Sequence, residues 1–361
     1  MKYLFLLSLT FVLFSCDSPE KEPATEVEET NQLELTVVIN DVQVRDQPGL
    51  EGKEIQKVKE GDILIYLDKI SDFSTPLMLR GITFNEPWLK VKNSEGQIGW
   101  IYAGCVKFDT NGAGKELAQQ VITQRLANFF GEKSGRLIKT YADLYTEAET
   151  ALEFAEMYRT GLELRDSLIV ELNEIDLTGT PVLPDMFWID EPLPGLVPTQ
   201  VAEGTTFHLF YDYKNLAQKV KQTVGEEDDE FVQLCFDIYK QDSIEYFYPS
   251  WFLQTSDYGG HSLLGEGIHL NIIGQMDQIM AKSELFGQAI QDFKAAILED
   301  IVAGTEYWRG QADILKELNT IIQNDYAFLT PADKIALTER VKMFENPLEY
   351  ELLLNSRENV E

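Results

Sequence analysis

Cysteine and histidine are scarce, at three each in 361 residues, and basic side chains are outnumbered two to one: 30 Lys and Arg against 61 Asp and Glu, a formal net charge of −31. A phosphate backbone is held by clustered Lys and Arg that release counterions, so nucleic-acid binding is disfavoured, and so is direct adhesion to anionic lipid. Cys105 and Cys235 fall in segments of different character, and no disulfide between them is expected. The chain has no P-loop, no dinucleotide fingerprint and no HExxH. Apolar runs are short too. The longest, Leu4 to Phe14, cannot span a ~30 Å hydrocarbon layer as a helix and reads instead as the h-region of a cleaved export signal.

That run follows Lys2 and ends at Ser15-Cys16, with Leu13, Ser15 and Cys16 on lipobox positions and Phe14 where a small residue is usual. Residues 1–16 resemble a bacterial lipoprotein signal. The resemblance implies a lipidated Cys16 as the mature N-terminus, a membrane partner reached through that anchor, and a place in the cell envelope, periplasm-facing or at the cell surface. Two or three acyl chains matter because one alone gives marginal, reversible binding. The next stretch, 17–32, carries two prolines, six acids and no aromatic residue, too little apolar surface to fold, and reads as an acidic disordered tether. Flexible chain of that length reaches roughly 20 to 25 Å.

From 33 to 108 the pattern changes to short β-rich runs, TVVI, VQVR, EIQKV, DILIYL, WLKVK and QIGWIYA, separated by turn signals at Asp46-Gln47-Pro48-Gly49, Glu60-Gly61-Asp62 and Asn93-Ser94-Glu95-Gly96. Val44-Arg45 with Pro48 following, then Gly61-Asp62, Trp88-Leu89-Lys90-Val91 and Gly99-Trp100 resemble the landmarks of the bacterial SH3-like (SH3b) domain. Gln43 replaces the usual Asn, and Asp72 to Pro87 departs from a short family loop. The resemblance implies a small barrel that recognises peptidoglycan or an envelope peptide or protein and carries no catalysis. Trp88 and Trp100 are expected in its core, with a ligand-stacking platform as the alternative, and Arg45 is expected to be structural. Acids and bases nearly balance here, ten against nine over 35–108.

The region 112–361 reads as helices and holds most of the acid excess: 44 acids against 19 bases over 109–361. Apolar residues recur at three and four in Leu117, Val121, Ile122, Leu126, Phe129; in Phe286, Ile290, Phe293, Ile297, Ile301; and in Leu315, Leu318, Ile322. A longer stripe runs from Leu144 through Ala148, Ala151, Tyr158 and Leu162 to Ile175, interrupted by Arg165. Thr330-Pro331 predicts a helix start, running to Phe344 before Asn346-Pro347. Five prolines between 178 and 206 mark a long loop, read as a strap with Phe187 and Trp188 as plugs or as a lid or partner-binding segment. No repeat of 34 to 45 residues is evident.

The densest aromatic, glycine and histidine stretch includes Trp251, Tyr258, Gly259, Gly260, His261, Glu266 and His269, the candidate pocket. Glycines admit a ligand close to backbone and aromatic faces stack on rings, although an irregular buried turn between helices has the same composition. Glu266 and His269, three apart, would share a helical face with His261 nearby, so a metal site is conceivable. Cys235 precedes both histidines, the order of a cell-wall cysteine peptidase, but its neighbours Phe231, Leu234, Phe236 and Ile238 are those of a core thiol. The expectation is therefore multidomain: a small all-β SH3-like barrel followed by an all-α helical domain, forming an envelope-anchored, non-catalytic binding or adaptor lipoprotein. No cofactor and no metal are called for. The alternative is a cell-wall or metal-dependent hydrolase with its site around His261, Glu266 and His269.

Overall fold

The computed structural model describes residues 33–108, 114–174, 189, 192–201, 206–240, 248–255 and 259–355. Cys16, the tether, Phe187 and Trp188 lie outside the described residues. Seven strands, β1 (Glu34–Val37), β2 (Val42–Arg45), β3 (Glu54–Val58), β4 (Ile63–Leu79), β5 (Ile82–Lys92), β6 (Ile98–Tyr102) and β7 (Val106–Phe108), form one curled antiparallel sheet in the order β3-β2-β6-β5-β4-β1-β7. Alternation decides the faces: Leu35, Val37, Val44, Val58, Leu64, Leu89, Val91 and Ile101 point inward and are buried.

The segment 72–87 is the outer half of a long β4–β5 hairpin. Leu79 and Ile82 pair across a two-residue turn in which Arg80 and Gly81 both have positive φ, the backbone twist that closes hairpins without splaying them. Register shifts after Tyr66 and after Ile70 bend β4, so the inner half closes the barrel while the outer half reaches beyond it.

The outer half docks on the first helix, α1 (Lys115–Glu147). Arg125 lays its guanidinium along the Glu86 carboxylate, Nε to Oε1 at 2.8 Å and Nη2 to Oε2 at 3.2 Å, with side chains only 3 % and 2 % exposed. Asn128 donates to the Asn85 carbonyl at 3.1 Å, and Phe129 meets Phe84 edge to face at 5.3 Å. A pair this dry stabilises little by itself, but either partner alone would be a buried, uncompensated charge.

α1 is broken at Gly131, whose φ of 71° and ψ of 166° lie in a region open essentially to glycine alone. Residues 115–130 pack on the barrel. Residues 132–147 turn to the helices that follow, with Ser134 donating to Glu171 at 2.7 Å and Tyr141 to the Pro194 carbonyl at 2.7 Å.

The remaining helices are α2 (Ala151–Asn173), α3 (Tyr213–Lys219), α4 (Glu227–Ile238), α5 (Ile268–Lys282), α6 (Gly287–Ala303), α7 (Gln311–Gln323) and α8 (Pro331–Glu345). The region is helical as expected, with two additions: the hairpins β8 (Leu196–Val201) with β9 (Thr206–Tyr211), and β10 (Phe252–Gln254) with β11 (Gly260–Ser262). The long stripe from Leu144 is two helices, not one. The chain leaves α1 after Glu147 and re-enters helix at α2 through a capping box, in which the Thr150 side chain accepts from Glu153 N–H and the Glu153 carboxylate accepts from Thr150 N–H. β8 occupies the last part of the proline-rich segment, and β9 packs against α2, with Tyr211 stacked on Tyr158 at 4.5 Å. The helical core centres on Phe231 and Phe286, stacked at 4.0 Å. α8 starts at Pro331 under a Thr330–Asp333 capping box, as its sequence predicts.

Candidate functional site

In the β-module the landmark residues build the barrel. Trp88 and Trp100 are buried; Trp88 donates Nε1–H to Thr75 Oγ1 at 2.9 Å and meets Tyr102 edge to face at 5.5 Å. The Tyr102 hydroxyl donates to the Thr75 carbonyl at 2.7 Å and accepts from Glu86 N–H at 3.0 Å, and burial pushes its pKa up. Arg45 donates to the Gly52 carbonyl and to Gln43 Oε1, pinning the loop that contains Pro48. Gly99 is required by approach: a Cβ there would sit 2.5 Å from Val44 Cγ1 and 2.8 Å from the Arg45 carbonyl. Gly61, with φ of 88°, turns the chain between β3 and β4.

The landmarks therefore hold the shape and leave recognition to their surroundings. Beside them Leu50 is 49 % and Phe73 44 % exposed, and the Phe73 ring stands against the Gly49 turn. Lys69 lies 5.8 Å over the Trp100 ring. A polar cavity of 450 Å³ opens where the outer hairpin meets α1, lined by Ser71, Asp72, Phe73, Asn85, Gln120 and Gln124. Sequence reading placed no residue of this face among the site residues; its one signal was the departure at 72–87.

The aromatic, glycine and histidine stretch is divided among structural tasks. Glu266 lies in the loop before α5, so it shares no helical face with His269, and its carboxylate is taken by Arg309, with Nη2 to Oε2 at 2.8 Å. His269 is buried on α5 with Nε2 2.8 Å from Asp300 Oδ2. His261, on β11, has Nδ1 3.3 Å from Glu306 Oε2. The three candidates thus face three different partners. Among the described residues no group of three or more His, Cys, Asp or Glu side chains is arranged to hold a metal ion.

Asp300 Oδ2 also accepts from the Ser262 hydroxyl at 2.6 Å. A serine nucleophile needs histidine between hydroxyl and carboxylate; here the carboxylate joins the other two, and Ser262 is buried. The glycine-rich turn serves the start of α5, where the buried Glu317 carboxylate of α7 accepts from the backbone N–H groups of Gly265 (2.5 Å), Gly267 (2.9 Å) and Leu270 (2.9 Å). The Gly267 and Leu270 donors, at the N-cap and in the first turn of α5, have no partner within the helix, and an anion suits its dipole. An open cleft of 680 Å³ remains, lined by Phe252, Gly259, Gly260, His261, Asp300 and Glu306. Trp251 is buried beside His269, and Tyr258 lies outside the described residues.

Cys235 is wholly buried on α4, and desolvation drives its thiol pKa far up, away from a nucleophilic thiolate. Cys105 is likewise a buried free thiol, pushed up to about 12, chiefly by burial and then by the Glu86 charge.

A curled sheet of this order defines an SH3-like binding module, here joined to a helical region through α1. Residues 40–107 match the family model of the bacterial SH3 domain. No curated protein and no solved structure matches the chain.

Proposed function

We propose that the protein is an envelope-anchored lipoprotein of non-catalytic, binding or adaptor type, lipidated at Cys16, whose SH3b module recognises peptidoglycan or an envelope peptide. The observation that carries this reading is the bacterial SH3 domain at 40–107, a family whose members commonly bind such ligands. Two features of the module support it. Leu50 and Phe73 are exposed apolar side chains at its rim, and its near balance of charge suits a ligand of mixed charge. The helical region is the second interaction element, connected through α1 and held off the bilayer by the tether.

Mature protein incubated with purified sacculi and sedimented is expected in the pellet, with no muropeptide released. Protein left wholly in the supernatant removes wall recognition, and released muropeptides favour a hydrolase. For the anchor, an alkyne palmitate analogue is expected to label the wild type in cells and to leave Cys16→Ala unlabelled. Equal labelling of both contradicts it.

A further inference from the structure

A third cavity, of 650 Å³, lies between α2, β9 and α6 and shares no lining residue with the two clefts described above. Its size falls within the roughly 300 to 1,000 Å³ of small-molecule sites. We propose that it binds a neutral saccharide, a mono- or disaccharide unit.

Three properties of the lining converge on that class. The first is aromatic faces fixed by their own neighbours: Tyr239 stacks on Tyr213 at 5.8 Å, Phe293 on Phe231 at 6.3 Å, and Phe210 on His208 at 5.7 Å. Tyr239 and Phe293 stand at 64° to one another, 6.3 Å apart, two walls of a wedge. The C–H face of a sugar ring packs on such a wall much as an aliphatic group does.

The second is the kind of polar group. Every charged or amide side chain among the described lining residues ends in a planar fork or ring: Arg159, Arg165, Asp166, Asp292, Gln288 and His208 are examples, and Lys, Ser and Thr are absent. Planar forks make paired hydrogen bonds to two acceptors or donors at fixed spacing, which is what adjacent ring hydroxyls present. Arg165 is the deepest of the charged groups, its side chain 34 % exposed, and it interrupts the apolar face of α2 between Leu162 and Ile169. Its Nε and Nη2 both reach one oxygen of Asp166, at 2.9 and 2.8 Å, an anchorage that holds the guanidinium at the cavity.

The third is charge. Two arginines face three carboxylates across the lining, in a region with 25 more acids than bases. An anionic ligand would meet the field of that excess, and among the described residues no group of acids is arranged to hold a metal cation. A neutral ligand with several hydroxyls and an apolar face satisfies all three observations, and the inference does not depend on what the β-module binds.

The test uses the full mature chain and three neutral disaccharides, N,N′-diacetylchitobiose, cellobiose and maltose, followed by saturation-transfer NMR and calorimetric titration. At least one is expected to bind saturably, and Arg165→Ala and Asp292→Ala are each expected to weaken it about tenfold or more, the loss of a charge-assisted hydrogen bond. Asp292 is exposed on α6, so that variant keeps the test open should Arg165→Ala fail to fold. The double variant Leu50→Glu/Phe73→Glu is expected to bind as wild type does; loss of binding there would place the sugar on the β-module and overturn the proposal. It is equally overturned if none of the disaccharides binds, if binding survives both cavity substitutions, or if laurate or benzoate occupies the cavity in their place.

Discussion

The β-module and the helical region use charge and glycine in opposite ways. In the module, acids and bases nearly balance, Gly99 lets two strands touch, and a buried ion pair, Glu86 with Arg125, points outward from the barrel to hold α1. In the helical region acids exceed bases more than twofold, and one of its buried carboxylates, Glu317, is satisfied by backbone N–H groups rather than by a cation. A balanced module can present a surface to a ligand of either sign. An acidic body stays solvated and repels its own kind. The join between them is α1, and Gly131 marks where one set of contacts ends and the other begins.

The sharpest way to break this comparison is at the join. Arg125→Ala should destabilise the protein by about 3 to 5 kcal/mol, because Glu86 would be left buried and unpaired, whereas the double change Glu86→Met/Arg125→Leu should cost far less. Urea unfolding of the three proteins checks it, and equal losses would mean the pair is not dry. Gly131→Ala should cost about 1 to 3 kcal/mol. A Cβ there meets nothing within 4 Å, so the loss would be of backbone origin, read as a lowered Tm with the hydrophobic contacts intact. Within the helical region Thr150→Ala should cost about 1 kcal/mol through the lost cap, and Thr150→Ser much less.

The smallest expected effect is a pH dependence. Burial opposes ionisation of Asp333, but the Thr330 N–H and hydroxyl together with the Lys294 ammonium outweigh it and hold the carboxyl below the usual range. A depressed native pKa contributes stability above the ordinary carboxylate pKa of ~3.9 and loses it as pH falls through the lower native value. The difference in Tm between wild type and Asp333→Asn should therefore be constant from pH 7 to about 5 and shrink below about 4. A difference that grows on acidification would reverse the assignment.

Much of this architecture was legible in the sequence. The module could be read because its landmarks are residues with geometric duties: Gly99 at a strand contact, Trp88 and Trp100 in a small core, Gly61 at a turn. The helices could be read from apolar spacing, and α8 from Thr330-Pro331. The capping box at Thr150-x-x-Glu153 was present in the sequence and was obscured by the continuous stripe through Ala148 and Ala151. The outer half of the β4–β5 hairpin looked like a loop insertion because its stabilising contacts come from α1, more than 30 residues away. The separation of His261, Glu266 and His269 has a related cause. His261, Glu266 and His269 are close in sequence, but Glu306, Arg309 and Asp300 arrive from elsewhere to occupy them separately. Arg165 was visible as an interruption, and only the packing of α2, β9 and α6 shows that it lines a cavity.

The measurement that bears most directly on the account is sedimentation of the full mature protein with purified sacculi, wild type beside Leu50→Glu/Phe73→Glu. The account predicts that the wild type pellets with the wall and that the double variant, folded and with unchanged Tm, stays in solution. A variant that pellets as the wild type does would move wall affinity away from this face of the β-module and contradict the account.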